Sequence, residues 1–193
     1  MSKSRPLLIL GSGFSKGVSS DMPTVMELAE RLQQEDVLRR EPYRGFLDNP
    51  ELLLSYLSLD QPWRDPEEAL KDAGLFIRLQ KLLAEHITHC EDRAFKKPIP
   101  NWASQLVQHL HEARVPVITL NYDTVMERLV HHLKGTDSSG NMWPHEQHLY
   151  DLPLSPILLR QFGTLADVET HTFQLIKIHG SINWFYSGAE GFP

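Results

Sequence analysis

Three short groups of residues in this chain carry side chains suited to chemistry. Asn121 and Asp123 supply an amide and a carboxylate, and both groups can hold or orient a polar ligand. His179 supplies an imidazole, which can accept and return a proton near neutral pH. A glycine-rich segment at residues 11–17 could bind a phosphate through its backbone amides. If the three groups lie together, they could orient a substrate and take a proton from a hydroxyl group or from water.

The glycine-rich segment begins like a dinucleotide-binding loop, with Gly11, Ser12, Gly13, Phe14 and Ser15 in order. Its first two glycines would permit a tight turn and a close approach of the backbone to a pyrophosphate. The third glycine of that fingerprint is missing at the usual spacing, and no Gly-Lys-Ser or Gly-Lys-Thr follows, so both an ordinary dehydrogenase and a P-loop are disfavoured. An ordinary strand-to-helix turn explains this segment alone equally well.

The other two groups have structural interpretations as well. Asn121 could end a strand and Asp123 could cap the next helix, which is the interpretation that the pair alone favours. His179 could be a core histidine that is hydrogen-bonded to the backbone, and for this residue alone the structural and the chemical interpretations weigh equally. Gly180 behind it would permit an unusual backbone conformation. Only the combination of the three groups favours a binding or catalytic site.

The apolar patterns around these groups predict an α/β fold. Apolar runs of the kind that form buried parallel strands occupy residues 6–10, 115–120 and 173–178. Helical periodicity follows the first two runs and fills most of residues 50–113. The carboxyl ends of parallel strands meet at one edge of an open sheet, where such sheets bind ligands, and each of the three groups follows such a run. The sequence therefore predicts a Rossmann-like parallel sheet with helices on both faces.

Two insertions are expected in a single domain that covers residues 1–193. A mostly helical insert covers about residues 42–113, and an irregular insert, rich in Gly, Pro, Ser and His, covers about residues 134–172. A short helix is expected near residues 157–162, and residues 182–186 could add a fourth strand. Since so few strands are unusual for this kind of sheet, and no closing helix is evident, we expect the domain to continue beyond Pro193.

Composition and charge limit the class of protein. The formal charge of −6 gives no overall reason to bind nucleic acid, because that affinity rests largely on Lys and Arg that neutralise phosphates. No apolar run approaches the roughly 20 residues that span a bilayer, and the amino terminus lacks the apolar core of a signal peptide. A cytoplasmic protein is expected, without membrane contact and without direct nucleic-acid binding.

The single cysteine, Cys90, argues against an internal disulfide framework and against a zinc site that needs several thiolates. His86, His89 and Cys90 have a helix-compatible spacing and could hold a metal ion with a further ligand from elsewhere. The favoured interpretation is that this stretch is the solvent side of an amphipathic helix. No metal ion is therefore expected.

Taken together, the three groups resemble the motifs of the sirtuin-like NAD-binding family. Sirtuins carry a Gly-Ala-Gly loop with a following serine, a strand that ends in Gln-Asn-Ile-Asp, and a later His-Gly pair. Residues 11–15, residues 120–123 and the His179-Gly180 pair correspond to these motifs in order. The sequence is more similar to bacterial sirtuin-like domains of antiphage defence proteins, which show Asn-Tyr-Asp and a Lys-x-His-Gly-Ser-x-x-Trp segment, here residues 177–184.

This resemblance implies NAD as the substrate and its hydrolysis to nicotinamide and ADP-ribose, in antiphage defence. Three catalytic residues are implied: Asn121 would orient the ribose or the attacking water, Asp123 would contact the nicotinamide end, and His179 would accept a proton. The implied cofactor-binding residues are Gly11, Ser12, Gly13, Phe14, Ser15, Thr119, Gly180 and Ser181, of which the first five would cradle the diphosphate. Besides NAD, the family suggests a second copy of the chain or an activating protein as partners.

Departures from the sirtuin pattern leave two alternatives to NAD hydrolysis. Deacylase sirtuins have Asp-Phe-Arg after the glycine loop and a zinc module with four cysteines, whereas this chain has Asp-Met-Pro-Thr at residues 21–24 and one cysteine. Protein deacylation is therefore the weaker form of the resemblance. A module that senses NAD or ADP-ribose without turnover is the other alternative, although the retention of Asn121 and His179 argues against it.

Overall fold

A computed structural model describes much of the chain, namely residues 6–59, 61–133, 149–150 and 172–184. The chain divides into two compact units: the first comprises Met1–Gly11 and Pro98–Pro193, and the second comprises Ser12–Lys97. All described strands belong to the first unit. The predicted short helix at residues 157–162, most of the predicted irregular insert, and residues 185–186 of the suggested fourth strand lie outside the described residues.

A parallel sheet forms the centre of the first unit. Its strands are β1 (Leu8–Leu10), β2 (Val117–Thr119) and β3 (Leu175–Lys177), and they lie side by side in that order. Each strand lies within a predicted apolar run, where Leu, Ile and Val fit a pleated, half-buried surface. Pro116 carries no N–H group, and β2 begins directly after it. The predicted parallel arrangement of three strands is confirmed.

The two faces of this sheet differ in exposure. The row of Leu10, Thr119 and Lys177 is buried, as is most of the other row on that face. The row between them has its side chains on the opposite face, where Ile9 is 63% and Ile176 is 40% exposed. The described residues therefore show a mixed α/β arrangement with one buried sheet face, which is the part of the Rossmann-like prediction that they establish.

Two amphipathic helices complete the first unit. They are α5 (Asn101–Ala113) and α6 (Val125–Leu133), which pack against each other. Their buried residues recur at helical spacing. These buried apolar residues are Ala103, Val107 and Leu110 in α5 and Val125, Met126, Leu129 and Val130 in α6. The apolar periodicity after residue 124 thus forms the helix that follows β2, as the sequence predicts.

The second unit begins with α1 (Ser12–Val18), where the sequence predicts a glycine-rich turn. Glycine within a helix costs about 1 kcal/mol relative to alanine, so Gly13 and Gly17 weaken the helical signal in the sequence. Burial of Ser15 and Val18 on one side of the segment offsets this cost in the structure. The glycine-rich segment is therefore a helix rather than an open turn over most of its length.

Five more helical segments follow α1 along the second unit. Their bounds are α2 (Val25–Leu32), two short 3-10 helices at Asp36–Arg39 and Tyr43–Phe46, α3 (Pro50–Ser58) and α4 (Pro66–Ala94). Asn49 and Asp65 cap α3 and α4, and a proline follows each of them at the first helical position, where its missing N–H has no cost. These start signals explain why the helices begin where they do.

The long helix α4 packs against α3 and is anchored at its first turns by a buried carboxylate. Asp72 accepts hydrogen bonds from the guanidinium group of Arg64 at 2.7 to 2.9 Å and from the hydroxyl group of Tyr43. Burial, together with the nearby Asp72, raises the pKa of Tyr43 to about 12, so its hydroxyl stays protonated as a donor. Among the described residues, no helix is both long and apolar enough to cross a membrane.

Replacing Arg114 by glycine is expected to stabilise the first unit. Arg114 ends α5 with φ 51° and ψ 46°, the left-handed conformation that glycine adopts without a steric cost. Arg114→Gly should raise the free energy of unfolding by about 0.5–1 kcal/mol. A rise of the melting temperature by about 1–4 °C would follow. Arg114→Ala keeps the strained conformation, so an equal gain in that control variant would contradict the explanation.

Glu27 should give the second unit a defined sensitivity to acid. A hydrogen bond from Lys16 at 2.6 Å, with further bonds to Thr24, lowers the pKa of Glu27 to about 2 from 4.5. Since the folded pKa is the lower one, this contribution to stability is present above about pH 4.5 and is lost as the pH falls toward about 2.

The test compares wild type with Glu27→Gln, which retains the capping box with Thr24 but removes the charge. Melting temperatures should be measured from neutral pH down into the acid range. At neutral pH, wild type should be the more stable protein. The difference should shrink as the pH falls through the same window. A difference that does not change with pH would contradict this assignment.

Candidate functional site

The turns that follow β2 and β3 lie next to each other at the carboxyl edge of the sheet. The Ile178 N–H donates to the Thr119 carbonyl oxygen at 3.2 Å, which continues the pairing beyond the ends of the strands. The Ile182 N–H donates to the Tyr122 carbonyl oxygen at 2.9 Å. The structure therefore brings the segment around Asn121 and the segment after Lys177 together, although they are far apart in the sequence.

Asn121 joins the end of β2 to the end of β1. Its side chain is largely buried, with 8% exposure, and its Nδ2 donates to the Gly11 carbonyl oxygen at 3.0 Å. Its backbone N–H donates to the Thr119 hydroxyl oxygen at 3.1 Å, so the buried hydroxyl of Thr119 orients this turn. Asn121 thus has a fixed side-chain orientation, and it lies against the first residue of the glycine-rich segment.

Asp123 caps α6. One of its carboxylate oxygens accepts a hydrogen bond from the Val125 N–H at 3.1 Å, which confirms the structural interpretation made from the sequence. An ionised carboxylate has two oxygens that accept hydrogen bonds, so a cap does not by itself exclude contact with a ligand. Asp123 is half-buried, and its turn is adjacent to that of His179.

His179 lies at the exposed end of this arrangement. Its ring is tilted at 37° to that of Tyr122, with 6.0 Å between the ring centroids. The next residue, Gly180, has φ 82°, a conformation that side-chain-bearing residues rarely adopt. No heavy atom lies within 4 Å of the position that a Cβ of Gly180 would take. The glycine is therefore required by the backbone of this turn, as the sequence suggests, and not by crowding.

A buried lysine, to which the sequence analysis assigns no role, lies between the two turns. The Lys177 side chain has no exposed surface, and its ammonium group forms an ion pair of 2.9 Å with Glu127, of which the side chain is 4% exposed. The same ammonium group donates to the Asp123 carbonyl oxygen and, at 2.6 Å, to the Ser181 hydroxyl oxygen. Its three N–H groups thus have three acceptors.

Two signals in the sequence could have identified this ion pair. Lys177 occupies the same side of its strand as Phe173 and Leu175, because side chains alternate between the two faces. Glu127 lies between Met126 and Leu129 on the buried side of α6. A lysine and a glutamate that both fall on inward positions of neighbouring elements predict a buried pair, since neither charge is buried alone.

The hydroxyl group of Tyr150 completes this cluster by donating to the Glu127 carboxylate. Burial, and then the negative charge of Glu127, raise the pKa of Tyr150 well above its ordinary value, so that the hydroxyl keeps the proton that it donates. The Tyr150 ring also packs edge-on against Trp184, with 5.8 Å between the centroids. Desolvation of the two charges is therefore offset by the additional hydrogen bonds.

The other predicted cofactor-binding residues belong to the second unit and form the first turn of α1. They are Ser12, Gly13, Phe14 and Ser15. Ser15 is fully buried, whereas Gly13 is exposed. A Cβ at Gly13 would meet no heavy atom within 4 Å, and this residue does not have positive φ. For Gly11, in the first unit, an added Cβ would also meet no heavy atom within 4 Å, and Gly11 also lacks positive φ.

No group of three or more His, Cys, Asp and Glu residues that could hold a metal ion occurs in the part of the chain that the structure describes. The interpretation of residues 86–90 as the solvent side of a helix is wrong for Cys90, which is 2% exposed. Its Sγ lies 3.8 Å from Nε2 of His86. Burial raises the pKa of the Cys90 thiol, which disfavours the thiolate that a metal ion requires.

A cavity of about 430 Å³ in the second unit is a separate candidate for ligand binding. It is lined by Arg31, Arg78, Lys81, Leu82, Glu85, His86 and His89. Arg78 forms an ion pair with Glu35, and Lys81 lies 3.9 Å from Glu85, so these two cations already have carboxylate partners. We therefore assign no ligand to this cavity.

Replacing Gly180 by alanine should destabilise the first unit through the backbone alone. An L residue with φ near 82° costs about 1–2 kcal/mol, and no contact of the added methyl group offsets this cost. Denaturant unfolding should show this loss for Gly180→Ala. Gly11→Ala is the matched control, since it also lacks a neighbour but has no positive φ; it should stay within about 0.5 kcal/mol of wild type. Equal losses in the two variants would contradict the explanation.

Comparisons of this chain with protein-family models, with curated proteins and with solved structures give no match in any of the three. The resemblance to the sirtuin-like family therefore stays a prediction that rests on the motifs quoted above. The adjacent positions of the turns that contain Asn121 and His179 are a structural observation that is independent of this resemblance. Any assignment of function starts from that geometry.

Proposed function

We propose that this chain is an NAD-binding, sirtuin-like module that hydrolyses NAD to nicotinamide and ADP-ribose. The observation that carries the proposal is the juxtaposition of the Asn121–Asp123 turn and the His179–Gly180 turn at the carboxyl edge of a parallel sheet. Open α/β sheets bind ligands at this edge. The residue types also suit the reaction, which needs an amide, a carboxylate and a proton acceptor close to one another.

Each of the three residues has a role in the proposed reaction. The bond between the ribose and the nicotinamide nitrogen breaks, and its electron pair leaves with nicotinamide, which becomes neutral. The oxygen of a water molecule forms the new bond to the ribose carbon, and His179 accepts the proton that this water loses. Asn121 orients the ribose or the water, and Asp123 contacts the nicotinamide end.

Differences in burial support these roles. Asn121 is buried and held by a hydrogen bond to the Gly11 carbonyl oxygen, which suits a group that orients a reactant. His179 is exposed, so substrate or water can approach the imidazole. Gly11 and Gly13 have neither positive φ nor a close neighbour that would explain the absence of a side chain. Close approach of the backbone to a diphosphate would explain both glycines.

The proposal extends to the fold and the setting. We infer a Rossmann-like sheet with helices on both faces, in which residues 11–15, Thr119, Gly180 and Ser181 bind the cofactor. The resemblance to antiphage domains supports a role in cytoplasmic defence, with activity released by assembly of several copies or by an activating protein. Protein deacylation is less well supported, because a chain with one cysteine has no four-thiolate zinc module.

A second candidate function is sensing of NAD or ADP-ribose without turnover. It is favoured by the structural use of the same side chains, since Asp123 caps α6 and Asn121 bonds to Gly11. A site that only binds its ligand could retain both residues for these reasons alone. Measuring turnover and binding separately distinguishes the two functions.

The test is release of nicotinamide from NAD by wild type, Asn121→Ala and His179→Ala. Loss of a general base typically costs 10²- to 10⁴-fold in rate, so we expect a decrease of roughly 100-fold or more for His179→Ala. His109→Ala is the matched control, since His109 is an exposed histidine of α5, and this variant should keep the wild-type rate. Melting curves are needed beside it, because the Asn121 hydrogen bond contributes about 1 kcal/mol.

The outcomes separate the candidates. Release that is lost in both site variants and kept in His109→Ala supports hydrolysis. Saturable binding of NAD by wild type without release of nicotinamide supports sensing. If wild type does not bind NAD at all, both proposals are wrong.

A further inference from the structure

The buried ammonium group of Lys177 contacts both turns of the proposed site. One acceptor, the Asp123 carbonyl oxygen, belongs to the turn that contains Asn121. Another, the Ser181 hydroxyl oxygen, belongs to the turn that contains His179. The third is the carboxylate of Glu127, in the first turn of α6. A single charged group therefore connects the two segments that would hold the reactants.

The ion pair is almost completely shielded from solvent. Lys177 has no exposed side-chain surface, and Glu127 has 4%. Charge-assisted hydrogen bonds in such surroundings are short and directional. The Ile182 N–H, which donates to the Tyr122 carbonyl oxygen, lies one residue beyond Ser181. The spacing of the two turns is thus determined by the hydrogen bonds of one ammonium group together with this backbone hydrogen bond.

We propose that Lys177 is a positioning residue of the candidate site, which fixes the Asn121–Asp123 turn relative to the His179–Ser181 turn with Glu127 as its counter-ion. The expected effect of Lys177 on the reaction rate rests on the proposed function, whereas its role in spacing the two turns does not. Lys177 itself contacts no substrate in this proposal. Its effect is on catalytic geometry, to which reaction rates are highly sensitive, since a shift of about 1 Å can cost 10²-fold.

Tyr150 extends this control to the segment that follows His179. Its hydroxyl group donates to Glu127, and its ring packs on Trp184, in the same stretch as Ser181 and Ile182. One carboxylate oxygen of Glu127, Oε1, therefore accepts hydrogen bonds from both Lys177 and Tyr150. The cluster of Lys177, Glu127 and Tyr150 holds the turn at two points, through Ser181 and through Trp184.

The test must separate positioning from stability. Removal of Lys177 alone leaves the carboxylate of Glu127 buried without its cation, which is strongly destabilising and uninformative. Replacement of the whole cluster by apolar groups, as Lys177→Met with Glu127→Leu and Tyr150→Phe, removes both buried charges and the hydroxyl group that donates to Glu127. Such replacements of buried ion pairs are often neutral or stabilising. We expect this triple variant to melt within about 4 °C of wild type.

Two readouts then decide the role of the cluster. Hydrogen exchange of the Ile182 amide, which is bonded to the Tyr122 carbonyl oxygen, should become about tenfold or more faster in the triple variant. In the nicotinamide assay, kcat should fall by roughly 10- to 100-fold while KM changes much less. The matched control is Lys71→Met with Glu67→Gln, which removes an exposed ion pair of α4 and should change neither readout.

Each outcome supports or overturns the proposal. A folded triple variant with wild-type exchange at Ile182, or with wild-type kcat, overturns it. If the triple variant does not fold, Ser181→Ala removes one acceptor without leaving a charge unpaired, and unchanged exchange at Ile182 in that variant overturns it instead. If wild type releases no nicotinamide, hydrolysis is wrong, and the exchange measurement still decides whether Lys177 positions the two turns.

Discussion

A buried ammonium group needs three hydrogen-bond acceptors, one for each of its N–H groups. An N–H group without an acceptor would leave part of the positive charge unsolvated in a medium of low dielectric constant. Lys177 meets this need with a carboxylate from α6, a carbonyl oxygen from the turn before α6 and a hydroxyl group from the turn after β3. Because the acceptors come from separate segments, a shift of any one of them would cost the ammonium group a partner. The geometry of the sheet edge therefore depends on this one buried charge.

The parallel direction of the strands determines which residues meet at that edge. The carboxyl ends of β1, β2 and β3 share one side, so the polar turns that follow them become neighbours in space. Hydrogen bonds between the turns continue where the strand pairing ends, from the Asn121 amide to the Gly11 carbonyl oxygen and from the Ile182 N–H to the Tyr122 carbonyl oxygen. The turns that carry the proposed reacting groups are thus joined by hydrogen bonds to backbone carbonyl oxygens in addition to the bonds of Lys177.

The sequence predicts features that depend on neighbouring residues. It does not predict features that depend on partners distant in the sequence. The three strands followed from short apolar runs, and the cap at Asp123 followed from helix-end preferences. The sequence does not predict the start of α1, because two glycines weaken the helical signal, nor the burial of Cys90, because helical spacing does not say which face of α4 is covered. Lys177 and Glu127 are buried only because they pair with each other. The preferences of each residue type alone would place both at the surface.

Cys90 is the only cysteine in the sequence, and its side chain is buried in α4. Alkylating reagents attack the thiolate, and burial both shields the sulfur atom and raises its pKa. Labelling therefore has to wait until this part of the second unit opens, so its rate reports the local opening equilibrium of α4. The chain carries a native chemical probe with which opening of the second unit can be followed without a reporter in the sheet that bears the candidate site.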